Sequence, residues 1–264
     1  TDPAADDYNY YLNASGNVLD RYKNYNGTDG NSAVSIDTPP EDLRKKITHD
    51  QYENMNDQFY GNNNITGPNA KHGTHVAGLA AGLVDTLYNK SSFRNPIQIM
   101  GLRVVPDGDE YDKDVALGIR YAVNNGAKII NMSFGKSFSP EQAWVDSAIR
   151  YAASKDVLII HSAGNESYNL NIKSVYPNPY SNGYKDKAMN MITVGASSDP
   201  VIAESLSTDF SNYGNKIVDL LSPGKKIYSS LPNQLYGFLD GTSMSAPILS
   251  HIAALIRAYF PKLS

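Results

Sequence analysis

The sequence predicts an α/β fold in three layers, with a mostly parallel central sheet and helices on both of its faces. Apolar runs of strand length alternate along the chain with segments of helical period, and the strand-like runs are almost continuously apolar. Continuous apolar runs are typical of parallel strands covered on both faces, and their alternation with helices is typical of βαβ connections. In such sheets the functional side chains gather at the carboxyl ends of the strands.

Each element is predicted from its own residues. Residues 72–88 mix small and apolar groups as a closely packed helix does, and Ile97 to Val105 is an apolar run of strand length. Residues 112–125 place apolar side chains at helical spacing and stop at Gly126, a typical residue after a helix. The remaining predicted elements are a strand at 128–134, a helix from the Ser139 cap to 154, strands at 157–161, 191–196 and 217–221, and a helix at 243–260.

Residues 1–64 differ from the rest of the chain. They are rich in Asn, Asp, Tyr and Gly, with weak periodicity and no second apolar core. We therefore predict that residues 1–64 form an insertion or N-terminal extension packed on a main domain of residues 65–264.

The composition excludes several classes of protein. The net charge is -4, and no basic run interleaved with aromatic residues occurs, so we expect no nucleic-acid partner. The chain has 0 cysteines and so forms no disulfides. No stretch approaches the roughly 18 apolar residues of a membrane span.

Three polar segments combine residue types that carry chemistry: His72 to Gly78, Ser162 to Asn165, and Gly241 to Pro247. Each has a structural interpretation. A serine before an apolar helix is a common N-cap, and an asparagine after a strand is a common turn residue. Two histidines three residues apart on a helix are compatible with a metal site or with a buried structural pair.

Taken together and in this order, the three segments resemble the subtilisin-like serine proteases (subtilases, peptidase S8). The resemblance implies a subtilisin-like fold with His72 as general base, Ser243 as nucleophile and Asn165 as a side-chain donor to the oxyanion. A neutral imidazole can take the hydroxyl proton near pH 7, and fixed donors stabilise the oxyanion that the attack creates. The implied activity is serine endopeptidase action on a polypeptide substrate through an acyl-enzyme.

The resemblance extends to residues that would bind the substrate. Asn131 to Gly135 resembles the substrate-binding strand, and Ser133, Phe134, Gly135 and Gly164 are expected to hold an extended peptide by strand addition. Residues 209–214 and 222–229 resemble signatures that precede the nucleophile. Residues 50–75 resemble a Bacteroidetes-type branch in which a long insertion precedes the histidine.

The aspartate of the triad is not found at its expected place. A subtilase triad runs Asp, His, Ser along the chain, and the nearest imitation of the Asp-Ser/Thr-Gly turn is Asp37 with Thr38, followed by Pro39. We therefore expect the aspartate and its strand, the first of the sheet, to lie upstream of Thr1. The main domain would then be incomplete at both ends, and a companion segment would fill the gap.

The alternative function is that of a catalytically impaired subtilase homologue acting as a peptide-binding or scaffold protein. An α/β-hydrolase esterase and a metal-dependent hydrolase are disfavoured, because Gly-x-Ser-x-Gly around Ser243 and His-Glu-x-x-His are both absent.

The resemblance also implies that catalysis requires no cofactor and no metal, and that the protein is secreted, periplasmic or on the cell surface. Structural calcium is common in the family, but no EF-hand spacing occurs, and the acidic run 107–110 is expected to be a surface loop. His251 stands where the resemblance expects a glycine, which implies rearranged neighbours.

Overall fold

The computed structural model describes residues 48–67, 69–82, 96–105, 110–180, 186–203 and 205–263. Asp37 and residues 107–109 of the acidic run lie outside these ranges. The chain divides into two compact units between Asn62 and Asn63. The described part of the first unit, residues 48–62, consists mainly of turns held by Asp and Asn side chains, as in the bond from Gln51 N to Asp57 Oδ2 (2.6 Å).

The second unit contains the helices and strands that position the candidate site. Its helices are α1 (Lys71–Ala81), α2 (Asp112–Asn124), α3 (Gln142–Ser154), α4 (Pro200–Ala203) and α5 (Thr242–Tyr259). Its strands are β1 (Ile129–Met132), β2 (Leu158–Ser162), β3 (Met191–Ser197), β4 (Leu220–Pro223), β5 (Ile227–Leu231) and β6 (Leu235–Leu239).

Four strands form a parallel sheet in the order β1-β2-β3-β4. Ile159 and Ile160 of β2 are both fully buried at 0% exposure. Because successive side chains of a strand point to opposite faces, both faces of this sheet are covered. Helix α5 packs on all four strands, and α3 packs on β2 and on α2. The predicted fold class is therefore confirmed.

Strands β5 and β6 form a separate antiparallel hairpin, which the sequence did not predict. Its turn is the short 3₁₀ segment Pro232–Gln234. The hairpin packs against α1 through two hydroxyl groups: Ser229 Oγ donates to His75 O (2.9 Å) and Ser230 Oγ donates to Thr74 O (3.0 Å).

The prediction of a strand at Ile97–Val105 is wrong, because residues 96–105 adopt no regular structure. Ile99 is 47% exposed, and Val104 packs against Gly118 of α2 instead of entering the sheet. A parallel strand exists only where a neighbour pairs with it. Within the described ranges the outer edge of β1 is unpaired, and the apolar run does not join it, since Val104 is held against α2.

One helix and one strand also begin at other residues than the sequence predicts. Helix α3 begins at Gln142 rather than at a Ser139 cap, because Asp112 accepts hydrogen bonds from both Ser139 Oγ (2.7 Å) and Glu141 N (2.9 Å) and holds this segment outside the helix. Strand β4 begins at Leu220, since Val218 N bonds to Gly214 O in a preceding turn. No helix within the described residues is long and apolar enough to cross a membrane.

Candidate active site

The candidate site lies where β1 and β2 end and α5 begins. The two strands are parallel and in register, with Met132 opposite His161, so the segments that follow them leave the sheet at the same edge. Ser133 follows β1, and Asn165 follows β2. Ser243 is the second residue of α5, in the first turn, where backbone N–H groups have no partner within the helix.

The side chain of Asn165 is fixed by Thr242. Its Oδ1 accepts hydrogen bonds from Thr242 N (2.8 Å) and from Thr242 Oγ1 (3.0 Å). Because a backbone N–H can only donate, the atom that faces Thr242 must be the amide oxygen. The Nδ2 of Asn165 therefore points away from Thr242 and has no partner among the described residues.

A second free donor lies beside this amide. The backbone N–H of Ser243 has no partner within the described residues either, as expected in the first turn of a helix. A Cβ placed on Gly241 would lie 3.5 Å from Asn165 Nδ2 and 3.7 Å from Ser243 N, so both donors border one small volume beside Gly241. Two fixed donors in one place can stabilise an oxyanion.

The carbonyl of Ser243 has an unusual partner, and Pro247 is the reason. In an α-helix the N–H of residue 247 would bond to the carbonyl of residue 243, but proline has no N–H. Ser133 Oγ donates to Ser243 O instead, at 2.9 Å. Asn131 Nδ2 in turn donates to Ser133 Oγ (2.9 Å). These bonds tie the end of β1 to the first turn of α5.

The hydroxyl of Ser243 donates to Ser133 O at 3.3 Å, and no hydrogen bond joins it to His72 in the part of the chain that the structure describes. The two residues nevertheless occupy equivalent places on packed helices. His72 lies in the first turn of α1, and Ser243 lies in the first turn of α5. About two turns further along each helix, His251 Nδ1 of α5 is hydrogen-bonded to Ala80 O of α1 at 3.2 Å.

Helix α1 also contacts the hairpin that precedes α5 in the chain. His75 Nε2 donates to Ile227 O (3.1 Å) and to Gly237 O (3.2 Å) in the hairpin whose strand β6 leads into α5. His72 and Ser243 therefore lie in the first turns of two helices that pack on each other.

The two histidines of α1 have different surroundings. His72 is exposed as a residue, yet the protein around its ring desolvates the imidazolium and lowers its pKa, and the neighbouring His75 lowers the same pKa further. A lowered pKa keeps the His72 imidazole neutral, as a general base requires. His75 is fully buried, so its role is in packing.

A cleft runs past Ser243 and contains the other predicted site residues. It is lined by Phe134, Gly135, Gly164, Asn165, Thr242 and Ser243, and by the charged side chains Glu110, Lys136 and Glu166. Neither Ser133 nor His72 is part of this lining. The Ser133 hydroxyl points to α5 instead.

A buried histidine supports the strand that borders the cleft. His161 is 2% exposed, and its Nε2 donates to Phe134 O at 2.8 Å. Burial lowers the pKa of His161 to about 4, although the bond to Phe134 O opposes the shift. The ring is therefore neutral near pH 7.

Neither the carboxylate that would orient His72 nor a metal centre is present in the described ranges. No Asp or Glu is hydrogen-bonded or paired with His72 there, and no group of three or more His, Cys, Asp or Glu side chains could hold a metal ion.

Sequence reasoning missed three residues that build the site: Thr242, Pro247 and Asn212. Thr242 and Pro247 belong to the serine segment, but their residue types do not indicate these roles, because only the serine carries the chemistry. Asn212 lies in the segment 209–214, whose resemblance was noted without a role for any of its residues.

A helix-borne serine with two free N–H donors beside it, at the carboxyl edge of a parallel sheet, is the arrangement on which serine hydrolases depend. Comparison with known proteins identifies the family within this class. The Subtilase family (Peptidase_S8) matches residues 29–264, and this chain belongs to that family.

Individual relatives agree with this assignment. The chain is 34% identical over 231 residues to the cell wall-associated protease of Bacillus subtilis (strain 168), covering 87% of this chain and 23% of that protein. It is 34% identical over 231 residues to the major intracellular serine protease of the same organism, covering 86% of this chain and 66% of the relative. The chain thus spans less than two thirds of either relative.

The fold agrees as well. The solved structure of sphericase superposes with a TM-score of 0.59 at 28% identity, covering 78% of this chain and 69% of sphericase. The family match begins at residue 29, upstream of the motifs that carry the resemblance, and it includes Asp37.

Proposed function

We propose that the protein is a serine endopeptidase that hydrolyses polypeptides through an acyl-enzyme. The observation that carries the proposal is the pair of donors, Asn165 Nδ2 and Ser243 N–H, that border Gly241 at the serine and have no partner in the part of the chain that the structure describes. Family membership supports the same reaction class, because the relatives named above are proteases. An N-cap or turn role alone leaves this convergence of free donors unexplained.

The reaction follows from these positions. The Ser243 hydroxyl turns from Ser133 O towards the substrate, its oxygen attacks the peptide carbonyl, and His72 takes the proton. The tetrahedral oxyanion accepts hydrogen bonds from Asn165 and from the Ser243 N–H. The intermediate then expels the amine, which receives the proton from His72 and leaves an ester on Ser243. Water attacks this ester with His72 as base; the Ser243 oxygen then leaves, takes the proton back from His72, and the carboxylic acid product is released.

The substrate would bind as an extended peptide along Ser133, Phe134 and Gly135, with Gly164 on the other side of the cleft. Strand addition would use the backbone groups of this strand end. Ser133 O becomes available when the Ser243 hydroxyl turns away from it, whereas Phe134 O already accepts from His161 Nε2. The Ser133 hydroxyl is occupied by Ser243 O, so we assign substrate contact at this residue to its main chain.

We further propose that the carboxylate orienting His72 comes from a companion segment, meaning a strand outside the described residues that pairs with the outer edge of β1. Two observations support it: the edge of β1 is unpaired, and His72 has no carboxylate partner in the described ranges. Asp37 is the weaker candidate within the chain. Without such a carboxylate a catalytically impaired, peptide-binding homologue becomes the alternative.

Narrower expectations rest on the resemblance alone. We place the protein in the branch with a long insertion before the histidine and expect it to be secreted, periplasmic or on the cell surface. We expect hydrolysis without a cofactor, and any bound calcium to be structural.

Labelling with a serine-directed fluorophosphonate tests the proposal. The full-length gene product should be modified at Ser243 and should cleave peptides, and Ser243→Ala should abolish both. Ser205→Ala, a change at an exposed hydroxyl group in a separate loop, is the control and should change neither. Unlabelled, inactive full-length protein would leave the impaired homologue as the correct interpretation.

A further inference from the structure

The fully buried side chain of Asn212 holds the loop that carries Asn165. Its Nδ2 donates to Ala163 O (2.8 Å) and to Glu166 Oε2 (2.7 Å), and its Oδ1 accepts from Glu166 N (3.1 Å) and Tyr168 N (2.7 Å). Asn212 itself is 0% exposed. A primary amide has two donor hydrogens and two acceptor lone pairs. In Asn212 all four are hydrogen-bonded to residues 163–168.

The backbone of the same region is built around that side chain. Asn212 N donates to Gly164 O at 2.9 Å. Gly164 has a φ of 99°, and a Cβ on it would lie 2.3 Å from Asn212 Nδ2. Only glycine allows both this conformation and this close approach. The loop and the buried amide therefore fit each other as one unit.

Asn165 itself has few restraints. It is exposed, and its side chain is held only by Thr242 among the described residues. Its main chain lies between Ala163 and Glu166, two residues that Asn212 bonds directly. Moving this loop would displace Asn165 Nδ2 from the point that it shares with the Ser243 N–H.

We propose that Asn212 is a positioning residue: its buried side chain holds the loop 163–168 through hydrogen bonds and thereby fixes the oxyanion donor Asn165. The inference rests on the proposed function, because it concerns the same oxyanion site. Misplacement of a catalytic group by about 1 Å can cost 10²-fold in rate, so an effect of this kind is measurable.

Asn212→Asp tests the proposal in the full-length gene product. The substitution keeps the shape but replaces the Nδ2 donor with an oxygen facing Ala163 O and the Glu166 carboxylate. We expect kcat for Ser243-dependent peptide hydrolysis to fall about tenfold or more, with KM changed less than about twofold, because the oxyanion exists only in the transition state. Because unfolded enzyme would also lower the apparent kcat at constant KM, kcat is calculated per folded protein, with the folded fraction measured by circular dichroism.

Asn190→Asp is the matched control. Asn190 Nδ2 also donates to two carbonyls, Ile149 O (3.2 Å) and Val157 O (3.1 Å), but it lies at the opposite end of β3 from the site. Its substitution should lower stability and leave kcat unchanged.

A double-mutant cycle decides whether Asn212 acts through Asn165. In an Asn165→Ala background, Asn212→Asp should cause no further loss of kcat, because the donor that it positions is gone. If Asn212→Asp alone does not fold, the same cycle is run with Asn212→Asp/Glu166→Gln, in which the glutamine amide can donate to the new carboxylate.

Two failures are distinguishable. Independent, multiplicative losses in the Asn165→Ala background, or an unchanged kcat in Asn212→Asp, would overturn the role of Asn212 and leave the protease assignment intact. Hydrolysis that survives Ser243→Ala would overturn the proposed function, and the role of Asn212 with it.

Discussion

At the scale of single residues, the Ser243 carbonyl lacks its usual hydrogen-bond donor within the helix and is bonded by a side chain from another element. Pro247 removes the donor that the helix would supply, and Ser133 from the neighbouring strand replaces it. A partly buried carbonyl without a donor is costly. The proline therefore makes the first turn of α5 depend on β1, which keeps the serine in register with the strand that would bind the substrate.

Replacing Ser133 should expose this dependence. We expect Ser133→Ala to lower the free energy of unfolding by about 1–3 kcal/mol, because Ser243 O loses its donor. Urea denaturation measures the change. The stability gained from Pro247→Ala should be larger in the Ser133→Ala background than in the wild type, because only there does the new N–H meet a carbonyl that lacks a donor. Equal gains in both backgrounds would contradict this explanation.

His161 determines a pH dependence of stability. Burial lowers its pKa to about 4 in the folded protein, whereas an unfolded histidine titrates near 6.5. The folded state therefore disfavours the charged ring. Stability from this residue is complete above pH 6.5 and falls as the pH drops towards 4, by about 3 kcal/mol in total.

Denaturation between pH 7 and 4 checks this prediction. His161→Asn removes the titration and should flatten the loss of stability in that window, although the variant is less stable at pH 7. A smaller slope should remain in His161→Asn, because the pKa of His72 is also lowered; a slope as steep as in the wild type would assign the pH dependence to other groups.

At the scale of helices, α1 and α5 pack closely because a glycine on α1 faces a large side chain on α5. His251 occupies a position on α5 where the family resemblance implied a glycine. The structure supplies the glycine on the partner helix: a Cβ on Gly82 would lie 2.2 Å from His251 Cε1. Gly82 also ends α1 with a φ of 68°, a conformation that favours glycine. The bulky His251 side chain is thus accommodated by a glycine on the helix packed against it.

Gly82→Ala should therefore be more damaging than an ordinary loss of a helix-ending glycine. We expect it to lower the unfolding free energy by about 1–3 kcal/mol more than Gly126→Ala, because overpacking adds to backbone strain. Gly126 also has a positive φ, 87°, but nothing lies within 4 Å of a Cβ there. Thermal melts of the two variants give the comparison. Equal destabilisation would show that the His251 side chain moves aside with no loss of stability.

At the scale of the whole molecule, the order of the strands determines where the sheet is strongest. Strands β2 and β3 are paired on both sides, and Ile159, Ile160 and Val194 in them are 0% exposed. Strand β1 is paired on one side only within the described residues. The amides of a doubly paired, buried strand open only in the largest unfolding events.

Hydrogen exchange measured by mass spectrometry should follow this order. We expect peptides from β2 and β3 to exchange most slowly and peptides from β1 to exchange faster. In a longer gene product that contains the companion segment, β1 should become as protected as β2. If β1 is already as protected as β2 in the present chain, its outer edge is covered from within this chain, and no segment from a longer gene product is needed.

The sequence anticipated most of the secondary structure and the polar segments of the site. The helix at 112–125 and the strands at 157–161 and 191–196 lie within two residues of α2, β2 and β3, because their apolar periodicity is strong and local. The strand at Ile97–Val105 failed for the opposite reason. Its residues favour a strand, but strand formation depends on a neighbour that the local sequence does not contain.

The sequence by itself determined the residue types of the site and their order along the chain: a histidine at the start of one helix, an asparagine after a strand and a serine at the start of another helix. Only the tertiary structure decided which atoms of these residues are free. Thr242 engages the Asn165 oxygen and leaves its Nδ2 available, and Asn212 holds the loop from inside. These bonds join residues far apart in the chain, so no local pattern encodes them.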